Sequence, residues 1–99
     1  MKLSNILPAA VVGLLSFGLV SPALATPAWA VYGARRSCSY MRQGYSAREA
    51  GSRSARDVLN SGYRSSMMSY FNTYGTEAGA TVMVTEALER CPRAFLNAS

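Results

Sequence analysis

The chain has 99 residues, a formal net charge of +5 at pH 7, 49% hydrophobic residues and no histidine. Removing a predicted leader, residues 1–25, leaves 74 residues, among them nine arginines and five acids. A chain of that length forms one domain that buries roughly 60–65% of its unfolded surface. This excludes a Rossmann unit, a barrel and a two-domain enzyme.

The N-terminal region has the three parts of an export signal. Residues 1–2 supply a positive charge, residues 6–20 are mostly apolar, and residues 23–25 form an A-x-A cleavage site that would leave Thr26 as the new terminus. The alternative is a retained anchor, because residues 6–24 approach the roughly 20 that span a bilayer. The small-residue site favours removal. We therefore predict an exported protein, periplasmic or secreted, with no transmembrane span after cleavage.

Two cysteines, Cys38 and Cys91, remain in the exported part. An oxidising compartment favours a disulfide between them, and closing a loop of about 50 residues contributes roughly 4 kcal/mol of stability. A metal site is the alternative, but the chain has no histidine and two thiolates do not complete a tetrahedral shell. We predict the disulfide, with no metal and no cofactor.

Helical spacing dominates the exported part, and no run of four residues alternates cleanly between apolar and polar. A first helix is predicted over residues 29–43, ended by Gly44. Ser46 and Glu49 have the spacing of a capping box that begins a second helix, which ends at residues 60–62. The apolar face of the first helix comprises Val31, Ala34, Cys38 and Met41. The small-residue stripe of the second comprises Ala47, Ala50, Gly51, Ala55 and Val58.

Two further helices are predicted. Ser65 or Ser66 caps a third helix that Gly75 closes. Thr76 caps a fourth, which Pro92 ends. Residues 93–99 are expected to fray, with packing of Phe95 and Leu96 against the bundle as the alternative. The buried seam of the fourth helix is predicted at Ala80, Val84, Ala87 and Cys91, with Leu88 beside it. The fold prediction is a single all-α domain over residues 26–99, a bundle of about four helices closed by one disulfide.

The sequence lacks the combinations of side chains that most hydrolases use for catalysis. Without histidine the imidazole-based triads and dyads cannot be built, and no P-loop, G-x-G-x-x-G or G-x-S-x-G motif occurs. Glu86 and Glu89 are interpreted as a solvated helix face near Arg90 and Arg93. We predict a non-catalytic protein without catalytic residues; a small carboxylate-based hydrolase is a remote alternative.

Positive charge is concentrated in residues 26–64, which hold seven arginines and two acids. The arginines are Arg35, Arg36, Arg42, Arg48, Arg53, Arg56 and Arg64. Guanidinium groups suit bidentate pairing with carboxylate or phosphate. The predicted partner is therefore an acidic protein or an anionic envelope surface, with an ordinary solubilising surface as the alternative. No nucleic-acid partner is expected, because no binding module is recognisable.

A stripe of methionines and aromatics crosses the predicted third helix. It comprises Met67, Met68, Tyr70, Phe71 and Tyr74. Such residues adapt to varied hydrophobic clients, but at helical spacing they also form ordinary core. Met68 lies off the main stripe and is expected to be the most exposed.

The cysteine motifs resemble a family of small exported helical domains found chiefly in mycobacterial and related genomes. The resemblance covers roughly residues 30–93. It is carried by Cys38-Ser-Tyr-Met41-Arg-Gln-Gly44-Tyr-Ser46 with Ala50, and by Ala80 and Ala87-Leu88-Glu-Arg-Cys91-Pro92. It implies a disulfide-closed helical bundle with no assigned biochemical activity. More loosely, the layout is similar to that of the periplasmic acid-stress chaperones.

The sequence as a whole predicts an exported, non-catalytic binding or structural module of the cell envelope, with an arginine-rich face for anionic partners. A periplasmic stress chaperone that uses its methionine–aromatic helix is the alternative.

Overall fold

Five helices follow one another in the computed structural model, which describes residues 25–98, and no strand forms within that range. They are α1 (Ala28–Arg42), α2 (Ala47–Leu59), α3 (Arg64–Tyr74), α4 (Thr76–Arg90) and α5 (Pro92–Ala98). The predicted all-α bundle is confirmed, with a short fifth helix added. The predicted leader, apart from Ala25, lies outside the described residues.

The first helix, α1, is central and packs against each of the other four. It begins after Pro27, whose carbonyl accepts hydrogen bonds from the N–H groups of Ala30 at 3.0 Å and Val31 at 3.1 Å. The turn that follows α1 contains Gly44 with φ +106°, a left-handed conformation that suits glycine. The predicted end of this helix is confirmed.

The second helix begins as predicted at Ser46, whose Oγ accepts the N–H of Glu49 at 3.1 Å. The reciprocal half of the predicted capping box does not form. The Glu49 carboxylate instead accepts from Nε of Arg53 at 2.9 Å. The carboxylate still lies in the first turn, where it complements the helix dipole.

The predicted cap of α3 at Ser65 or Ser66 is wrong, because the helix begins one residue earlier without a side-chain cap. The hydroxyl that organises this turn belongs to Ser61. Its Oγ donates to the carbonyl of Val58 at 2.6 Å and accepts the N–H of Tyr63 at 3.0 Å. A single serine therefore links the end of α2 to the start of α3.

The predicted cap of α4 is also wrong, because Thr76 is already helical and makes no cap hydrogen bond. Gly75 occupies the cap position with φ +98°, which permits the sharp change of direction between α3 and α4. Glu77 lies in the first turn, as predicted.

The C-terminal tail was expected to fray but forms α5, with Pro92 as its first residue. Proline suits that position, because its missing N–H would have no partner within the helix. Ala94, Phe95 and Ala98 pack against buried residues of α1 and α4. The tail is ordered because its apolar side chains find that surface.

The predicted disulfide joins Cys38 of α1 to Cys91 at the end of α4, with a Cα–Cα distance of 6.1 Å. Both residues are buried, at 3% and 4% exposure. Both sulfur atoms belong to this bond, so they are not metal ligands. Within residues 25–98, no three histidine, cysteine or acidic side chains group closely enough to hold a metal ion.

Two groups of buried residues form the core along α1. The cysteine cluster comprises Ala34, Cys38, Met41, Ala50, Ala87 and Cys91. The tryptophan cluster comprises Trp29, Ala30, Val58, Met67 and Met83. In the second cluster the Trp29 ring meets Tyr70 at a centroid distance of 5.4 Å and Phe71 at 5.6 Å, both edge-on. Aromatic bulk thus replaces the aliphatic residues that this chain lacks.

A pair of serines lies in the core between α1 and α2. Ser37 Oγ donates to Ser54 Oγ at 2.8 Å, and Ser54 Oγ donates to the carbonyl of Ala50 at 2.7 Å. Ser54 is fully buried and satisfies its donor within its own helix. Ser54 therefore belongs to the small-residue stripe of α2, although it was not among the residues predicted for that stripe.

The predicted seam of α4 is confirmed at Ala87 and Cys91, which are buried, but in the first half of the helix the buried positions are shifted by one residue. The buried positions are Gly79, Met83 and Ala87, whereas Val84 is 45% exposed and Ala80 lies on the surface. The cause is close packing at glycine. A Cβ built on Gly79 would overlap the Phe71 ring, with Cζ only 2.8 Å away, so this ring selects the face of α4 that is buried.

Adding a methyl group at Gly79 tests that packing. We expect Gly79→Ala to destabilise the domain by about 1–2 kcal/mol, because overpacking against a ring held by Trp29 outweighs the gain in helix propensity. Gly51→Ala is the matched control, since no atom lies within 4 Å of its new Cβ. It should stabilise by about 0.5–1 kcal/mol. Urea unfolding measures both changes in stability. If the two substitutions both stabilised or both destabilised the domain, the register assigned to α4 would be contradicted.

Candidate functional site

The structure divides the seven candidate arginines into two groups. Arg36 and Arg53 form salt bridges with acids of α2. The other five form no salt bridge within residues 25–98 and are exposed. We call them the outer arginines: Arg35, Arg42, Arg48, Arg56 and Arg64.

Asp57 is the centre of the first paired site. Its Oδ2 accepts from Nε of Arg36 at 2.9 Å and from the Tyr40 hydroxyl at 2.6 Å. Arg36 also donates from Nη2 to the Tyr40 oxygen at 3.3 Å. The pKa of Asp57 is lowered, chiefly by the hydrogen bond from Tyr40 and further by Arg36. The same contacts raise the pKa of Arg36, so this pair stays ionised at neutral pH.

Arg53 is the centre of the second paired site. Its guanidinium carbon lies 4.2 Å from the centroid of the Tyr45 ring, while its Nε bonds Glu49. The Tyr45 ring meets the Tyr40 ring edge-on, at 5.7 Å between centroids. Two tyrosines therefore connect the two ion pairs along one side of the antiparallel α1–α2 pair. Asp57 holds Arg36 across the α1–α2 interface, whereas Glu49 holds Arg53 within α2, so both guanidinium groups are locally neutralised.

The outer arginines project from three places. Arg35 and Arg42 are seven residues apart, which puts them on one side of α1. Arg48 and Arg56 are eight residues apart and share a side of α2. Arg64 is the first residue of α3 and donates from Nη1 to the carbonyl of Leu59 at 3.3 Å. The seven arginines thus do not form one continuous face, and the unpaired ones are spread over the outside of the helix pair.

Acidification tests the Asp57 site. A carboxyl whose pKa in the folded state lies below its ordinary 3.8 contributes stability above that pH, and loses it as the pH falls through the lowered value. We therefore expect Asp57→Asn to destabilise the protein at pH 6, with the deficit shrinking below about pH 4. In a Tyr40→Phe background the same substitution should cost less, because the main hydrogen bond is gone. A deficit that stays constant between pH 6 and about pH 2 in chemical unfolding would contradict this assignment.

The methionine–aromatic stripe is mostly turned inward. Met67 is 3% exposed and belongs to the tryptophan cluster, against which Tyr70 and Phe71 also pack. Met68 is 41% exposed, as expected, but Tyr74 is more exposed, at 64%. The five candidates therefore present two separate side chains to solvent and not a continuous apolar surface.

The side chains that Arg36 and Arg53 contact were not predicted from the sequence. Asp57 was counted only as one of the two acids of residues 26–64, and no contact was predicted for Tyr40 or Tyr45. Arg36 and Asp57 are 21 residues apart in the sequence, so no short-range spacing indicates that they are in contact. The four-residue interval from Glu49 to Arg53 is a helical ion-pair spacing and could have been recognised.

Among residues 25–98, the structure contains no helix long and apolar enough to cross a membrane. No family model matches the chain, and neither the curated proteins nor the solved structures contain a match to it, so its resemblance to the small exported two-cysteine domains stays a prediction.

Proposed function

We propose that this protein is an exported, non-catalytic module that binds an anionic surface of the cell envelope through its outer arginines. The observation that carries the proposal is the division of the arginines. Arg36 and Arg53 form salt bridges with acids of α2, whereas the five outer arginines are exposed and form no salt bridge within the described residues. Unpaired guanidinium groups keep their full capacity to pair with phosphate or carboxylate.

The distribution of these groups favours a surface over a small ligand. A bound small anion needs several donors converging on one point, whereas the outer arginines extend along α1, along α2 and to the start of α3. Charges spread in this way match a partner that carries many negative groups, such as a membrane rich in anionic lipid. An acidic protein is the alternative partner. The chaperone alternative has less support, because most of its candidate stripe is packed in the core.

Vesicle binding tests the proposal. We expect the protein to bind vesicles containing about one third phosphatidylglycerol at low salt, and to dissociate by about 0.3 M salt through screening. Vesicles of phosphatidylcholine alone should not bind. Binding to poly-glutamate but not to the anionic vesicles would reject the surface and favour an acidic protein partner.

Matched variants identify the residues involved. Arg48→Gln and Arg56→Gln should each weaken vesicle binding about fivefold, at about 1 kcal/mol per arginine near the surface. Arg93→Gln is the control: it removes the same charge from an exposed position on α5 that forms no salt bridge within the described residues. Equal losses in all three variants would show that net charge alone drives binding, and would contradict a role specific to the helix pair.

A further inference from the structure

A groove lined by aromatic and acidic side chains lies on the surface of the bundle. It has a volume of about 550 Å³ and lies between residues 25–27, α3 and α4. Tyr70 and Tyr74 line it from α3, and Val82, Glu86 and Glu89 line it from α4. No arginine is among its lining residues, although the whole chain carries a net charge of +5.

The two carboxylates of this groove are not equivalent. Glu86 accepts a hydrogen bond from Nε of Arg90 at 2.7 Å, and only 13% of its side chain is exposed. The prediction that Glu86 lies on a solvated helix face is therefore wrong. Glu89 forms no salt bridge within residues 25–98. With one of its two acids neutralised, the groove keeps a net negative charge beside two aromatic rings.

The residue at the predicted cleavage point lies in the same groove. Thr26 lines its wall together with Glu86 and Glu89. On its other side, Thr26 lines a smaller groove of about 360 Å³ that contains Arg35 and the rings of Tyr32 and Tyr63. Thr26 therefore lies between the Arg35 guanidinium on the side of α1 and the carboxylates of Glu86 and Glu89 on the side of α4.

We infer that removal of the leader after Ala25 places the new N-terminal ammonium of Thr26 in the acidic groove, where it pairs with Glu89 and Glu86. Hydrolysis of the peptide bond before Thr26 frees an amine that takes up a proton at neutral pH, so a neutral amide becomes a cation. Repulsion by Arg35 and attraction by the glutamates both direct this cation toward α4. The inference rests on the leader removal that the proposed function assumes.

The ion pair would connect two parts of the bundle that the disulfide does not join. It ties the segment before α1 to the C-terminal third of α4, next to the Tyr70–Tyr74 ring pair, whose centroids are 4.6 Å apart. An uncleaved chain lacks this cation and cannot form the pair. Processing therefore completes the packing of the mature N-terminus.

The chain offers an unusually clean measurement, because its only lysine is Lys2, in the leader. The ammonium of a chain that begins at Thr26 is then its only amine. We would produce the full chain in a host that exports it and determine the N-terminus by intact mass. We would then follow reductive methylation of the amine against pH. A mature chain that begins elsewhere than Thr26 overturns the inference.

Pairing should raise the pKa of the amine above the ordinary 7.7–8.0 and slow its methylation at pH 7.5 roughly three- to tenfold relative to an unpaired amine. Glu86→Gln/Glu89→Gln should restore the faster rate. Glu89→Gln alone should restore most of it while leaving the Glu86–Arg90 pair in place. Glu77→Gln is the control, because it removes the same charge from α4 outside the groove and should change nothing.

An amine pKa at or below about 8 in the native chain, or a rate that the groove substitutions leave unchanged, overturns the inference. Vesicle binding measured on the same preparations separates this result from the proposed function. The glutamate variants should bind anionic vesicles at least as well as the native chain, so loss of the ion pair and loss of surface binding are distinguishable.

Discussion

Replacing both Cys38 and Cys91 by alanine is expected to lower the free energy of unfolding by about 4 kcal/mol, the value of loop-closure entropy for a disulfide with this sequence separation of 53. For a domain of this size that loss corresponds to a fall in melting temperature of roughly 15–30 °C. It is comparable to the whole stability expected of so small a core. Calorimetry of the native and double-alanine chains measures it.

The disulfide should also control α5. Cys91 directly precedes this helix, and residues of α5 pack on the cysteine cluster. Without the bond, amide hydrogens of α5 should lose protection from exchange before those of α1 and α2. Reducing agent provides the control: it should reproduce the loss of stability in the native chain and have no effect on the double-alanine chain. A native melting curve that reduction leaves unchanged would reject the role assigned to this bond.

Truncating Trp29 is expected to cost about 3–5 kcal/mol, because Trp29→Ala removes the largest side chain of the tryptophan cluster and leaves a cavity. This residue is 2% exposed and supports Tyr70 and Phe71 through edge-on ring contacts. Since the alanine variant risks unfolding at 25 °C, Trp29→Phe should be measured beside it. Phenylalanine keeps an aromatic contact and should cost about 1–2 kcal/mol.

Leu96 provides the comparison for that series. It is a large apolar residue that is 75% exposed, so Leu96→Ala should change the free energy of unfolding by less than about 0.5 kcal/mol. Denaturant titrations at one pH give all three values. A cost for Trp29→Ala close to that of Leu96→Ala would mean that the tryptophan cluster does not stabilise the fold.

Two ion pairs limit what the arginine-rich composition can do: Arg36–Asp57, which joins α1 to α2, and Arg53–Glu49, which lies within α2. Arg36 and Arg53 are held by Asp57 and Glu49, so charge counting overstates the number of arginines available to a partner. The outer arginines are those that remain. Glu86 and Glu89 line a groove of opposite charge. The molecule therefore has two surfaces of different chemistry, one proposed for an anionic envelope partner and one for its own mature terminus.

Features that depend on neighbours in the chain were predictable from the amino-acid order. The stop at Gly44, the start at Ser46 and the break before Pro92 each follow from the backbone preferences of one residue. The pairing of Cys38 with Cys91 followed from the presence of two cysteines in a chain that is predicted to be exported. These predictions needed no knowledge of which helices touch.

Features that depend on contacts between distant residues were not predictable in the same way. Residues with little or no side chain, such as Gly79 and Ala80, occur next to each other in α4, so hydrophobic periodicity leaves the buried face uncertain by one position. The Phe71 ring determines which face of α4 is buried, because the ring occupies the space next to Gly79. Likewise Ser54 is buried because Ser37 lies opposite, and Asp57 is an anchor because Arg36 and Tyr40 reach it from α1. Local propensity therefore specifies some helix ends, such as those at Gly44 and Ser46, while packing against other helices specifies which way each helix faces.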